Sequence, residues 1–163
     1  MTQRLTYKIP IGRYQFVRDG DIQMSPVSII DTIESKKICI KYFQGLGETF
    51  QERICILCLN TKKQPISWHV ITVGVLDACI VSGREIFRPA ILSGASSILL
   101  THNHPSGNTY PSPEDIRMTG RTSSIGSELG IPVIDHIIVG ETSITENYDA
   151  HSLRDSHPNI FKV

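Results

Sequence analysis

The sequence predicts an α/β fold, a mixed β-sheet with helices packed on it, and three observations lead there. The first is the order of segments: two or three strand-like runs, a helix, a strand, a loop, a helix and a strand. The second is length, since 163 residues make one ordinary domain with short extensions, enough to bury a real core. The third is placement: the side chains best suited to chemistry, His102, His104, Ser112 and Asp115, fall at a strand's exit and on the loop and helix that follow. That is where a rigid sheet usually carries its reactive groups.

Residues 1–24 form an N-terminal extension, basic and punctuated by Pro and Gly, with an edge strand expected over 13–18. Ser25-Pro26 signals a helix start, and Ile29, Ile30, Ile33, Ile38, Ile40 and Phe43 continue an apolar pattern towards Gly45 and Gly47. The β-branched stretch from Ile38 is able to break that helix. Strands are expected at 53–60 and 65–73, joined by a hairpin turn at Thr61-Lys62-Lys63-Gln64, with a third near 76–81. A helix from Gly83 to about 94, a strand ending at His102, a helix over 113–129 and a strand over 132–139 complete the order. The main domain spans 25–146, and 147–163 reads as a polar tail in which His151 and His157 are exposed. No repeat or low-complexity tract interrupts it.

The run Thr101-His102-Asn103-His104-Pro105-Ser106-Gly107, followed by Ser112-Pro113-Glu114-Asp115, carries the chemistry. Ser96 to Thr101 is β-leaning, so both imidazoles sit at a strand end, and strand alternation puts His102 and His104 on one side with Asn103 pointing away. Pro105 ends the strand and a turn-rich loop follows. Ser112 then stands at N-cap, Pro113 at N1 and Asp115 at N3 of a helix, where a carboxylate is favoured by the helix dipole. Ser-x-x-Asp alone is a capping box, which many helices carry without chemistry. Two imidazoles on one face with a tethered carboxylate are a different matter. They are the ligand types that Zn²⁺ takes in catalytic sites, where three protein groups leave a position open.

Other zinc chemistries fail against the same letters. A His-x-His-x-Asp-His motif of the metallo-β-lactamase type would need Asp and His where Ser106 and Gly107 stand. A nucleobase deaminase would need Glu two residues after a ligand histidine and a later Pro-Cys-x-x-Cys, but position 104 is His and no such pair follows. The helical His-Glu-x-x-His of metalloproteases is absent.

The pattern that fits, His-x-His, then the seven residues Pro105 to Pro111, then Ser-x-x-Asp, resembles the JAMM motif of the JAB/MPN metallopeptidase family. The stretches Gly83 to Ala90, Thr101 to Gly107, Pro111 to Ile116, and Leu129-Gly130-Ile131 to Asp135-His136-Ile137-Ile138-Val139-Gly140 resemble its RadC subfamily, so that the likeness covers about residues 25–146. The resemblance implies a JAB/MPN-like, cytidine-deaminase-like three-layer fold. It further implies Zn²⁺ held by His102, His104 and Asp115, and hydrolysis of a peptide or isopeptide amide. Such enzymes often act on the C-terminal tail of a ubiquitin-like protein joined to lysine.

The JAMM motif also calls for a general-base glutamate on an earlier strand. Glu52, in a Gln-Glu step that enters the first strand, is preferred to Glu85, whose place in Gly-Arg-Glu-Ile-Phe-Arg reads as a first-turn carboxylate held by the helix dipole. Ser112 is then the donor to the oxyanion. The rival reading is a non-catalytic module that binds protein or DNA in association with DNA repair. Full-length RadC proteins resemble a helix-hairpin-helix module joined to this domain, and the residues before Ser25 are too few to make one.

Sixteen basic and sixteen acidic residues cancel, so bulk charge exerts no pull on nucleic acid. A local basic patch is left open, with Lys36-Lys37, Lys62-Lys63, Arg4, Lys8, Arg13 and Arg18 as its candidates. Cys39, Cys55, Cys58 and Cys79 lie in apolar runs and no apolar span suggests membrane insertion, which predicts reduced core thiols and a cytoplasmic location. Cys55 and Cys58 would face opposite sides of one strand. His69 and His136 are expected to be structural, with His136 also placed to orient a ligand histidine.

Overall fold

The strand β1, Arg53–Leu59, is apolar without a break from Ile54 onwards because it is covered on both faces. Ile54, Ile56 and Cys58 enter one core cluster, while Cys55, Leu57 and Leu59 enter the other. In this computed structural model residues 28–45, 51–74, 81–142 and 147–162 are described. The N-terminal extension with its expected strand over 13–18, the Ser25-Pro26 start, Cys79 and residues 76–80 of the expected third strand lie outside them.

The remaining elements are α1 (Thr32–Gly45), β2 (Pro65–Val73), α2 (Gly83–Leu92), β3 (Ser97–His104), α3 (Pro113–Glu128), β4 (Val133–Thr142), β5 (Asn147–Ser152), α4 (Leu153–Ser156) and a 3-10 turn at Pro158–Ile160. The sheet order is β2-β1-β3-β4-β5. β3 and β4 are parallel, joined through α3, and the other neighbours are antiparallel. Helix α1 packs Ile38, Cys39 and Phe43 on one face with Leu99, Ile137 and Val139. On the other face α2 and α3 bury Ile86, Phe87, Ala90 and Met118 against Leu100 and Ile138. The result is the three-layer α/β arrangement with a mixed sheet that the sequence predicts.

Several boundaries differ from the sequence reading. Residues 28–30 carry no regular structure, and α1 starts at Thr32, where the Asp31 carboxylate accepts the Glu34 amide at 2.9 Å. The β-branched stretch does not break α1, because Ile38, Cys39 and Phe43 share a face buried on the sheet, and tertiary burial outweighs weak helix propensity. Helix α2 stops at Leu92, two residues early, with Gly94 at φ 65° and the Ala95 amide returning to the Ala90 carbonyl.

β3 continues through His104 since β4 pairs with it there, His104 opposite Gly140. β4 runs on to Thr142. The polar tail is part of the fold: Asn147–Ser152 forms an edge strand on β4, Leu153 and Phe161 enter the core, and His151 is half-buried with Nε2 2.8 Å from Ser156 Oγ. An edge strand needs only one apolar face, so Asn-Tyr-Asp-Ala-His-Ser gives no strong strand signal.

The hairpin turn lies where expected, with Asn60 Oδ1 accepting the Lys62 and Gln64 amides. Cys39, Cys55 and Cys58 are free and buried. No helix among the described residues is long and apolar enough to cross a membrane.

Candidate metal centre

The parallel pairing of β3 with β4 carries His102 and His104 to the end of the sheet on one face. Their Nε2 atoms stand 2.9 Å apart, His102 wholly buried and His104 half-buried. Asp115, in the first turn of α3, brings Oδ1 to 3.3 Å from His102 Nε2 and Oδ2 to 3.6 Å from His104 Nε2. Glu52, just before β1, places Oε1 3.7 Å from His102 Nε2. Ligand atoms of Glu52, His102 and His104 all fall within 4.8 Å of one another.

Local chemistry explains why these groups stay in place. Ser112 at N-cap accepts the Asp115 amide on Oγ at 3.1 Å, and its own amide and hydroxyl donate to Asp115 Oδ2 at 2.8 and 2.6 Å. The capping box read from the letters is therefore present, and it aims the carboxylate's other oxygen at His102. The single proton of Ser112 goes to Asp115 here, so donation to an oxyanion requires the hydroxyl to rotate away.

Burial and the charges in the cleft set the ionisation of the site. Burial, aided by His104, pushes His102 down to about 4 against the pull of Asp115, which keeps the ring neutral. Burial raises the Asp115 carboxyl, but the histidines and the two Ser112 donors overcome it and hold it below the usual range. Burial raises Glu52, opposed by His104 and reinforced by Asp115. His104 ends raised, since its carboxylate neighbours and the Asn108 carbonyl outweigh burial.

The donor set fits a cation. His104 Nδ1 lies 2.6 Å from the Asn108 carbonyl, which only accepts, so Nδ1 carries a proton, and in the neutral ring Nε2 is left with a lone pair facing His102. Two imidazole nitrogens with a carboxylate beside them are the N/O set of zinc chemistry. An open cleft of about 470 Å³, lined by Glu52, His104, Ser112 and the loop between β3 and α3, gives access. Among the described residues, those lining a larger groove of about 600 Å³ between α2 and α3 include no histidine, carboxylate or thiol.

Glu85 lies apart from this cluster, in the first turn of α2, where its carboxylate accepts the Ser82 amide at 3.0 Å and hydroxyl at 3.2 Å. These bonds, helped by Arg88 and Arg84, hold its carboxyl down. His69 sits between Ser67 and Ser93, at 3.0 and 3.1 Å, away from the centre. His136 packs behind His102, Nε2 to Nδ1 at 2.8 Å.

Two residues with no assigned part in the sequence reading shape the centre. Asn103 points away from the histidines as predicted, and there its Oδ1 accepts the Arg53 amide at 2.8 Å while its Nδ2 donates to the Gln51 carbonyl at 3.3 Å. Both neighbours of Glu52 are thereby pinned. At Gly140 an added Cβ would lie 2.4 Å from the Gly107 carbonyl oxygen, so a bare backbone lets the loop rest on β4. A glycine inside an apolar strand is a signal of such close approach.

Comparison with known proteins agrees with the geometry. A family model described as RadC-like JAB domain matches residues 33–156. A UPF0758 protein of Picosynechococcus sp. is 38% identical over 130 residues, 80% of this chain and 53% of the relative. One from Rubrobacter xylanophilus is 47% identical over 91 residues, 56% of this chain and 40% of the relative. A third, from Methanosarcina barkeri, is 41% identical over 106 residues, 65% and 46% of the two chains. The chain thus spans about half the length of the curated relatives it matches. From its β-sheet, its paired histidines and this match over most of its length, the chain belongs to the RadC-like JAB domain family.

Proposed function

We propose that the domain is a Zn²⁺-dependent hydrolase of amide bonds, a peptidase or isopeptidase acting on a protein or peptide. One observation carries the reading: His102 Nε2, His104 Nε2 and the Asp115 carboxylate converge beside an open cleft that His104 and Glu52 help to line. His102, His104 and Asp115 would hold the ion. When bound, it supplies Lewis acidity at the reacting carbonyl.

The remaining work falls to the chain. Glu52 lies at the cleft, close enough to take the proton of an attacking water and return it to the leaving amine. Ser112, after rotation of its hydroxyl, donates to the developing oxyanion. The open cleft suits an extended chain, and a lysine-linked ubiquitin-like tail is the substrate we would try first. A link to DNA repair rests on family resemblance alone, and a net charge of zero lends it no phosphate-seeking field.

The test pairs metal content by elemental analysis with hydrolysis of a panel of peptide and isopeptide substrates by wild type and Glu52→Ala. The proposal expects stoichiometric zinc in both and cleavage by wild type only. Zinc-loaded wild type that cleaves nothing would favour a binding module.

A further inference from the structure

The back of the His102 ring is tied to the helix that presents Asp115. Thr119 Oγ1 lies 2.6 Å from the Asp115 backbone carbonyl and 2.6 Å from His136 Nδ1, and His136 Nε2 lies 2.8 Å from His102 Nδ1. Thr119, His136 and His102 are all fully buried, so no water competes for these bonds. The chain joins α3, β4 and β3 in that order.

The direction of every proton in it follows from one fixed end. A carbonyl only accepts, so the single Thr119 proton goes to Asp115. The Thr119 oxygen then accepts from His136 Nδ1–H. A neutral imidazole protonated at Nδ1 has its lone pair at Nε2, and that lone pair faces His102 Nδ1, which must be the donor. His102 is left with its own lone pair at Nε2, aimed at the point where His104 Nε2 stands 2.9 Å away.

We infer that Thr119 and His136 are positioning residues that lock His102 in its Nδ1–H tautomer, so that Nε2 is its ligating atom. They also tie that ring to the helical turn supplying Asp115. Asp115 therefore serves twice, its carboxylate facing His102 directly and its carbonyl orienting the same ring from behind. Partners of this kind behind a ligating histidine typically set metal affinity by about 10- to 100-fold. The inference rests on the metal reading above for its consequence, and on hydrogen-bond geometry alone for the tautomer.

The test has two independent readouts. Two-bond ¹⁵N–¹H correlation spectra of the metal-free protein report each imidazole's tautomer. Wild type and Thr119→Ser should show His102 and His136 protonated at Nδ1, and Thr119→Val should show His102 shifted to Nε2–H or a mixture. Zinc affinity, read by competition with a chromophoric chelator, should fall about 10- to 100-fold in Thr119→Val and be restored in Thr119→Ser. A wild-type spectrum with His102 protonated at Nε2 overturns the inference, and needs no variant to fold. Equal affinities in all three proteins with an unchanged tautomer overturn it too. Absence of zinc uptake by wild type with the expected tautomers would instead sink the metal reading and leave the wiring standing.

Discussion

Asn103 and Arg53 are joined across two strands: the Asn103 side-chain oxygen accepts the Arg53 amide at 2.8 Å. The bond continues the β1–β3 ladder, whose last backbone pair is Ile54 with His102, by one side-chain step. The residue between the two histidines thus holds the first residue of β1, next to Glu52.

Asn103→Ala removes the acceptor for Arg53 and the donor to the Gln51 carbonyl, leaving two part-buried backbone groups to find water. The loss should be about 1–3 kcal/mol of stability by denaturant unfolding. Zinc content should be retained, since the proposed ligands lie on β3 and α3, while hydrolysis falls because Glu52 is no longer fixed. Loss of zinc in step with activity would place Asn103 in the support of the ligands instead.

Gly140 and Gly120 give opposite expectations for the same change. Gly140→Ala would set a methyl 2.4 Å from the Gly107 carbonyl, lift the loop, and draw the Asn108 carbonyl off His104 Nδ1, weakening zinc affinity. At Gly120, inside α3, the nearest atom to an added Cβ is 3.8 Å away, so alanine should stabilise by about 0.5–1 kcal/mol. Thermal unfolding and chelator competition on both variants check the pair.

The core thiols should be inert in the native protein. Burial, against bonds from Trp68 and Tyr42, pushes the Cys55 thiol up to about 11, and burial also raises Cys39 and Cys58. In a Cys79→Ser background, a disulfide reagent at pH 8 should label none of the three until the protein unfolds. Linkage gives the sign with pH. An unfolded thiol ionises near about 8.5 and the folded Cys55 thiol only near 11, so stability is full below the first value and declines as pH rises towards the second. Rapid native labelling would contradict the burial.

Much of the centre was legible because its geometry is local. Strand alternation places His102 with His104, and Ser112-Pro113-Glu114-Asp115 spells a helix start that fixes a carboxylate three residues on. Glu52 was reachable only through resemblance, as nothing in its own segment announces a partner fifty residues ahead. His136 is placed by the sequence to orient a ligand histidine, and it does stand behind His102, but Thr119 could not be read, since Met-Thr-Gly-Arg-Thr looks like an ordinary polar helix until α3 is laid on β4. β5 was missed for a similar reason: its pairing with β4 is a tertiary fact that an edge strand's composition does not record.

The most direct test of the central claim is the rate at which zinc-loaded wild type and zinc-loaded Glu52→Gln cleave an isopeptide-linked substrate. The account predicts cleavage by wild type and a loss of about 10²- to 10⁴-fold in the variant at equal zinc content. Equal rates in the two proteins would contradict it.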